Sequence, residues 1–255
     1  MEQFLSLFDG FLLCLLFLLP LLWLQRGLHR EIQSIFLLIT RRVDISYVIF
    51  ALIFLPGVFL HEISHYLVAR LLGVRTGRFS LLPKPLDNGR LQLGYVETSS
   101  SDLFRDALIG AAPLLTGGAF VIYAGIYHLE VQNLWGSLTG GNIAELFAYL
   151  TSMVKAPDFW VWFYLTFVIS STMLPSASDR KAWRPLLLIG ILILGIILLA
   201  GAGTWFMTHL SLYVNEAMRT VAIVFGISSV LHLILILPTW LIRIGLSRFL
   251  GLKVH

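Results

Sequence analysis

The side chains best suited to chemistry stand inside one apolar run, Phe59-Leu60-His61-Glu62-Ile63-Ser64-His65-Tyr66-Leu67. Ionisable groups are costly in such a segment and are kept there with a partner or a task. On a helix, His61 and His65 lie four residues apart on one face, so both imidazoles can reach a single zinc ion. Glu62 follows the first ligand by one position, off the ligand face yet close enough to take a proton from a water at the metal. This His-Glu-x-x-His pattern is that of zinc peptidases, with the glutamate as general base. Zinc lowers the pKa of water to about 7, which lets hydroxide form where bulk water is scarce.

Two histidines leave a catalytic zinc one protein ligand short. The sequence offers Asp179, in Ser171-Thr172-Met173-Leu174-Pro175-Ser176-Ala177-Ser178-Asp179-Arg180, where irregular backbone after Pro175 can carry a carboxylate to a polar cavity. His232, within Val230-Leu231-His232-Leu233-Ile234, is the rival third ligand. Glu97 and Asp106 are lesser rivals because they lie in polar sequence.

These residues resemble the site-2 protease family of intramembrane zinc metalloproteases. The resemblance rests on His61-Glu62-Ile63-Ser64-His65 in one apolar run and on Asp179 after Leu174-Pro175 in a later one. Gly110-Ala111-Ala112-Pro113-Leu114-Leu115-Thr116 is similar to the family's Gly-Pro-rich middle helix, and the matches span roughly residues 45–184. The resemblance implies that His61, His65 and Asp179 bind one Zn²⁺ and that Glu62 activates the water. It also implies that Thr116 and Thr172 occupy substrate-contacting positions. The family pattern has Asn where Thr172 and Thr116 stand, Gly where Arg180 stands, and one more residue between Pro and Asp. The chain therefore resembles a divergent, compact branch. A prenyl-peptide type of membrane zinc protease also uses His-Glu-x-x-His, but normally with a downstream glutamate ligand on a helix. A catalytically inactive scaffold that binds client helices is the other alternative.

The elements that must position these groups are membrane helices. Of the 255 residues 58% are hydrophobic and only 13% charged, against about 25% charged in soluble domains. Mean hydropathy is +0.86. Such a chain is neither disordered nor a nucleic-acid arm, even with a net charge of +4. About six spans are expected, near residues 4–24, 45–74, 107–127, 159–174, 186–202 and 221–242. The fold class is thus an all-α polytopic membrane protein with a small membrane-associated β-hairpin. Its expected parts are an anchor helix and amphipathic segment (1–44), a catalytic core (45–184) and C-terminal helices (185–255). The N-terminus, with Glu2 and Asp9 and no small-residue cleavage site, reads as a retained anchor. Ile32, Ile35, Phe36 and Ile39 recur at helical spacing, as in an interfacial helix. One cysteine, Cys14, allows no intrachain disulfide.

The hairpin is expected over 79–97, with a turn at Asp87-Asn88-Gly89 and alternating Leu91, Leu93 and Tyr95. A helix must unwind before its peptide bonds can be cut, and a strand edge beside the metal could capture the extended segment. The family's membrane-associated hairpin occupies the corresponding place. The expected partners are lipid and a membrane-protein substrate. Basic loops at 75–106 and 175–184 and the basic tail place both termini and the metal group toward the cytoplasm. Arg26, Arg30, Arg41 and Arg42 oppose that assignment for residues 1–44. By resemblance, the membrane is a bacterial cytoplasmic one.

Overall fold

Backbone in hydrocarbon must satisfy its own hydrogen bonds, and this chain does so mainly as helix. The computed structural model describes residues 9–85, 91–139, 143–203, 205 and 209–252. In chain order the elements are α1 (Asp9–Thr40), α2 (Val43–Leu71), β1 (Thr76–Ser80), β2 (Lys84–Pro85), β3 (Leu91–Gln92) and β4 (Tyr95–Thr98). There follow α3 (Leu103–Tyr127), α4 (Val131–Thr139), α5 (Ile143–Lys155), α6 (Phe159–Thr172), α7 (Trp183–Leu199) and α8 (Ser211–Leu250).

Four of these, α1, α2, α3 and α8, are long and apolar enough to cross a membrane. The chain is on that ground a membrane protein. The expected spans at 159–174 and 186–202 form apolar helices of only 14 and 17 residues. At 1.5 Å per residue they reach roughly 21 and 26 Å, short of a hydrocarbon core of about 30 Å. Asp158 and Pro175 bound the first of them.

The anchor and the amphipathic segment are one continuous helix of 32 residues. Along it Leu28 is fully buried and Leu38 nearly so, while of the expected stripe Ile35 is buried and Ile39 is exposed. Arg41, with φ of 54°, takes the left-handed conformation that commonly ends a helix, and the chain turns straight into α2. The Ser46 hydroxyl donates to the Gln33 carbonyl (3.2 Å), and Phe50 and Phe54 meet His29 edge-on. Helices α1 and α2 therefore run antiparallel.

Helix α8 runs parallel to α1. Arg219 and Asn215 bond to Asp9, Ser229 donates to the Phe17 carbonyl (3.1 Å), and Arg243 pairs with Glu31. The C-terminal end of α8 therefore lies beside the α1–α2 turn, at the opposite end of the bundle from Asp9. The loop charges disagree on the placement of residues 1–44, and here Asp9 and the end of α8 lie at opposite ends of the bundle. The basic tail and the basic loop at 175–184 end up far apart, so charge in the loops does not give a simple alternation.

Helix α2, which carries His61 and His65, packs between α3 and α6. Its Gly57 is so close to α6 that a Cβ there would lie 2.3 Å from the Val168 carbonyl oxygen. Phe50, Phe54 and Val58 of α2 form one core cluster with Phe167, Val168 and Ile169 of α6. Helix α3 starts where the Asp102 carboxylate accepts from the backbone N–H groups of Phe104 (3.1 Å) and Arg105 (3.0 Å), a side-chain N-cap.

The expected hairpin is present as two short antiparallel ladders, β1 with β4 and β2 with β3. Ser80 pairs with Tyr95 and Lys84 with Gln92, with an irregularity between Thr76 and Phe79. The proposed turn at Asp87-Asn88-Gly89 lies outside the described residues.

Candidate metal centre

One turn of α2 brings the two histidines together, and backbone carbonyls from two other elements orient them. His61 Nδ1–H donates to the carbonyl of Thr172 at the end of α6 (2.6 Å). His65 Nδ1–H donates to the carbonyl of Ile109 on α3 (2.8 Å). With Nδ1 carrying the proton, each Nε2 keeps its lone pair free. The two Nε2 atoms lie 3.2 Å apart.

Asp179 completes the group from the segment between α6 and α7. Its Oδ2 lies 3.6 Å from His61 Nε2 and its Oδ1 lies 3.5 Å from His65 Nε2. The Ser176 N–H donates to Oδ2 (2.7 Å) and fixes the carboxylate. Burial works to raise the Asp179 carboxyl pKa, but when the two imidazoles take up a second proton they and the Ser176 N–H outweigh it and hold the group well below the usual carboxylate range. The segment is pinned further on, where Trp183 Nε1–H donates to the Ala107 carbonyl (3.2 Å).

With neutral imidazoles, the acceptor atoms of three residues thus face one another with no donor between them. That arrangement is unfavourable unless a cation, a proton or a metal ion, sits among them. Zinc bound tetrahedrally at ~2.0–2.1 Å separates its ligand atoms by about 3.3–3.4 Å. The 3.2 Å between the two Nε2 atoms fits that edge, the Asp179 carboxylate spans the pair with one oxygen near each imidazole, and one ligand atom from each residue lies within 4.8 Å of the others. The carbonyl partners on both Nδ1 atoms are the outer contacts that fix ligating histidines in metal sites. Among the described residues, His61, His65 and Asp179 are the group of this kind with metal-binding spacing.

Glu62 is buried and lines the same cavity of about 1220 Å³ as the three candidate ligands. Among the described residues no hydrogen bond engages its carboxylate. It is held by packing against Gly94, between β3 and β4. A Cβ at Gly94 would lie 2.9 Å from Glu62 Cγ and 3.0 Å from Val58 Cγ1. A carboxylate without a partner among the described residues, facing a cavity shared with a candidate metal site, is placed to accept a proton from whatever enters.

No protein-family profile, curated protein or solved structure matches this chain.

The other sequence candidates are distributed unevenly. Leu91, Leu93 and Tyr95 line the cavity. Thr172 lines it too, but its hydroxyl bonds back to the Val168 carbonyl (3.0 Å), and its part in the site is its own backbone carbonyl. Thr116 does not reach the cavity, since its hydroxyl donates to the Ala112 carbonyl (2.9 Å). His232 is fully buried and away from the cage. Its Nδ1–H donates to the Ser228 carbonyl (2.7 Å), and its Nε2 accepts from the Ser171 hydroxyl (2.9 Å). Glu97 accepts from the Arg78 N–H, and Asp106 accepts from the Ser101 hydroxyl.

Sequence reasoning missed Gly110 as the residue that admits Asp179. A Cβ there would stand 2.0 Å from the Asp179 carbonyl oxygen. It also missed Gly94, although a glycine interrupting strand alternation marks close approach by another group.

Proposed function

We propose that this chain is a zinc-dependent intramembrane endopeptidase of the site-2 protease kind, cutting peptide bonds in or near the membrane-spanning segments of other membrane proteins. The observation that carries this reading is the convergence of His61 Nε2, His65 Nε2 and the Asp179 carboxylate, with one ligand atom of each within 4.8 Å of the others, in one cavity with Glu62. Zinc in that cage would polarise a scissile carbonyl and make a water acidic enough to attack it. Glu62 takes the proton from the attacking water and returns it to the leaving amine. His61 and His65 hold their tautomers through Thr172 and Ile109, so the cage is ready before substrate arrives.

A substrate helix must be unwound at the point of cleavage, and its freed peptide groups then need partners. Strand β4 pairs with β1 on one side, and among the described residues its second edge has no strand beside it. That edge, with Leu91, Leu93 and Tyr95 along the cavity, suits addition of an extended segment. The protein is a multi-pass one of a bacterial cytoplasmic membrane in this reading. The basic loops next to the hairpin (Arg75, Arg78, Arg105, Arg180, Lys181) favour a cytoplasmic position for the cage.

The test is zinc content measured beside cleavage of a membrane-anchored reporter. The purified wild-type chain is expected to hold one zinc. His61→Ala and Asp179→Ala lose it, while Glu62→Gln keeps it and cuts at least ~10²-fold more slowly. A wild type with neither zinc nor proteolysis overturns the reading in favour of a helix-binding scaffold. Full activity of Glu62→Gln overturns the mechanism. Zinc lost from His232→Ala but kept by Asp179→Ala overturns the ligand set.

A further inference from the structure

Each candidate ligand histidine is held by a backbone carbonyl that its own helix leaves without an N–H. The Thr172 carbonyl, which takes His61 Nδ1–H (2.6 Å), stands at the end of α6, where helical donors run out. The N–H four places on, that of Ser176, goes to Asp179 instead (2.7 Å). The Ile109 carbonyl, which takes His65 Nδ1–H (2.8 Å), lies well inside α3 and would ordinarily accept from the residue four places on. That residue is Pro113, which has no N–H to give.

Three other prolines stand inside helices, Pro20 in α1, Pro56 in α2 and Pro238 in α8. The carbonyls that they leave free belong to Leu16, Leu52 and Ile234. Those three residues are each more than half exposed, on the outside of the bundle. Pro113 and Ile109 are both buried, and the carbonyl freed between them meets a candidate metal ligand. A proline in a helix interior lowers stability, so its place on the buried face of α3 calls for a compensating use.

We infer that Pro113 is a positioning residue for the metal cage, which by withholding an N–H keeps the Ile109 carbonyl free to hold His65 Nδ1–H. The inference rests on the zinc-binding part of the proposed function. A histidine that ligates through Nε2 carries its proton on Nδ1, and the carbonyl that takes this proton fixes the ring and raises the basicity of the ligand. With an N–H at position 113, the Ile109 carbonyl would be drawn into the helical ladder and His65 would have to share it. The proline ring also crowds the carbonyl four residues before it and so favours one turned away from the helix. The same turn of α3 carries Gly110, against which the Asp179 carbonyl oxygen lies. Residues 109–113 therefore serve two candidate ligands, His65 through a freed carbonyl and Asp179 through a missing side chain.

The test uses the full chain, purified in detergent and stripped of metal, then titrated with zinc against a chelator and with cobalt read by its visible absorption. Pro113→Ala supplies the missing N–H. It is expected to bind zinc ~10-fold more weakly and to shift the cobalt bands. The α-hydroxy acid analogue of alanine at position 113 has the same methyl but again no N–H, and should restore both readouts. The same pair built on valine, which refills more of the space of the ring, serves where the alanine form does not fold. Equal weakening by both members of a pair overturns the inference, because the effect then belongs to packing of the ring. Zinc affinity and cobalt bands unchanged in Pro113→Ala overturn it as well, and leave the proposed function standing. A wild type that binds neither zinc nor cobalt overturns the proposed function, and this inference with it.

Discussion

Asp179 reaches His61 and His65 because Gly110 has no side chain. Its carbonyl oxygen occupies the space where a Cβ would sit, 2.0 Å away, so Gly110→Ala must push the ligand segment outward. The expected result is a ~10–100-fold loss of zinc affinity, read by competition with a chelator. Gly94→Ala acts differently, since its methyl meets the Glu62 side chain and not the cage. It should keep zinc and slow cleavage by about 10²-fold, as misplacement of a catalytic group by an ångström does. Steady-state kinetics beside metal analysis separates the two. The convergence of the three candidate ligands was legible in the sequence for simple reasons: two histidines four apart share a helical face whatever surrounds them, and an acid after a proline-broken apolar run has few places to go. The parts played by the glycines and Pro113 were not. They depend on which groups approach across the bundle, and a proline in an apolar helix looks like a simple interruption until His65 is seen to meet the carbonyl it frees.

Among the elements, the seam between α1 and α8 is fastened by polar contacts spread along its length. At one end Gly10 N–H donates to Asn215 Oδ1 (2.8 Å) and Arg219 pairs with Asp9 (2.6 Å). At the other, Arg243 pairs with Glu31, both mostly buried. Arg243→Met leaves Glu31 without that partner and should cost about 1–3 kcal/mol. Adding Glu31→Met should recover most of the loss, as thermal unfolding in detergent would show. Helix periodicity in the sequence identified both helices but not their pairing or relative direction. The two segments are apolar around much of their surface, and polar contacts of Asp9, Gly10, Phe17 and Glu31 fix the register. The hairpin was legible as alternation, while its division into two ladders depends on the irregularity after Thr76.

For the whole molecule, the parallel run of α1 and α8 makes a topological prediction. In a Cys14→Ser background, single cysteines replacing Ser100, next to the hairpin, and Arg248, near the end of α8, should react with an impermeant thiol reagent from opposite sides of sealed vesicles. Labelling of both from one side would contradict the bundle. The cage has a consequence of another kind. The carbonyl that orients His61 lies 111 residues further along the chain, and the Asp179 carboxylate lies beyond it. An ion held by α2 and the α6–α7 segment would close a ring of more than a hundred residues and deny the unfolded chain many of its conformations. A thousandfold excess of zinc over its dissociation constant would add about 4 kcal/mol to stability. Stripping the ion should therefore lower the melting temperature of Glu62→Gln, which has no reaction left to lose, as much as that of the wild type.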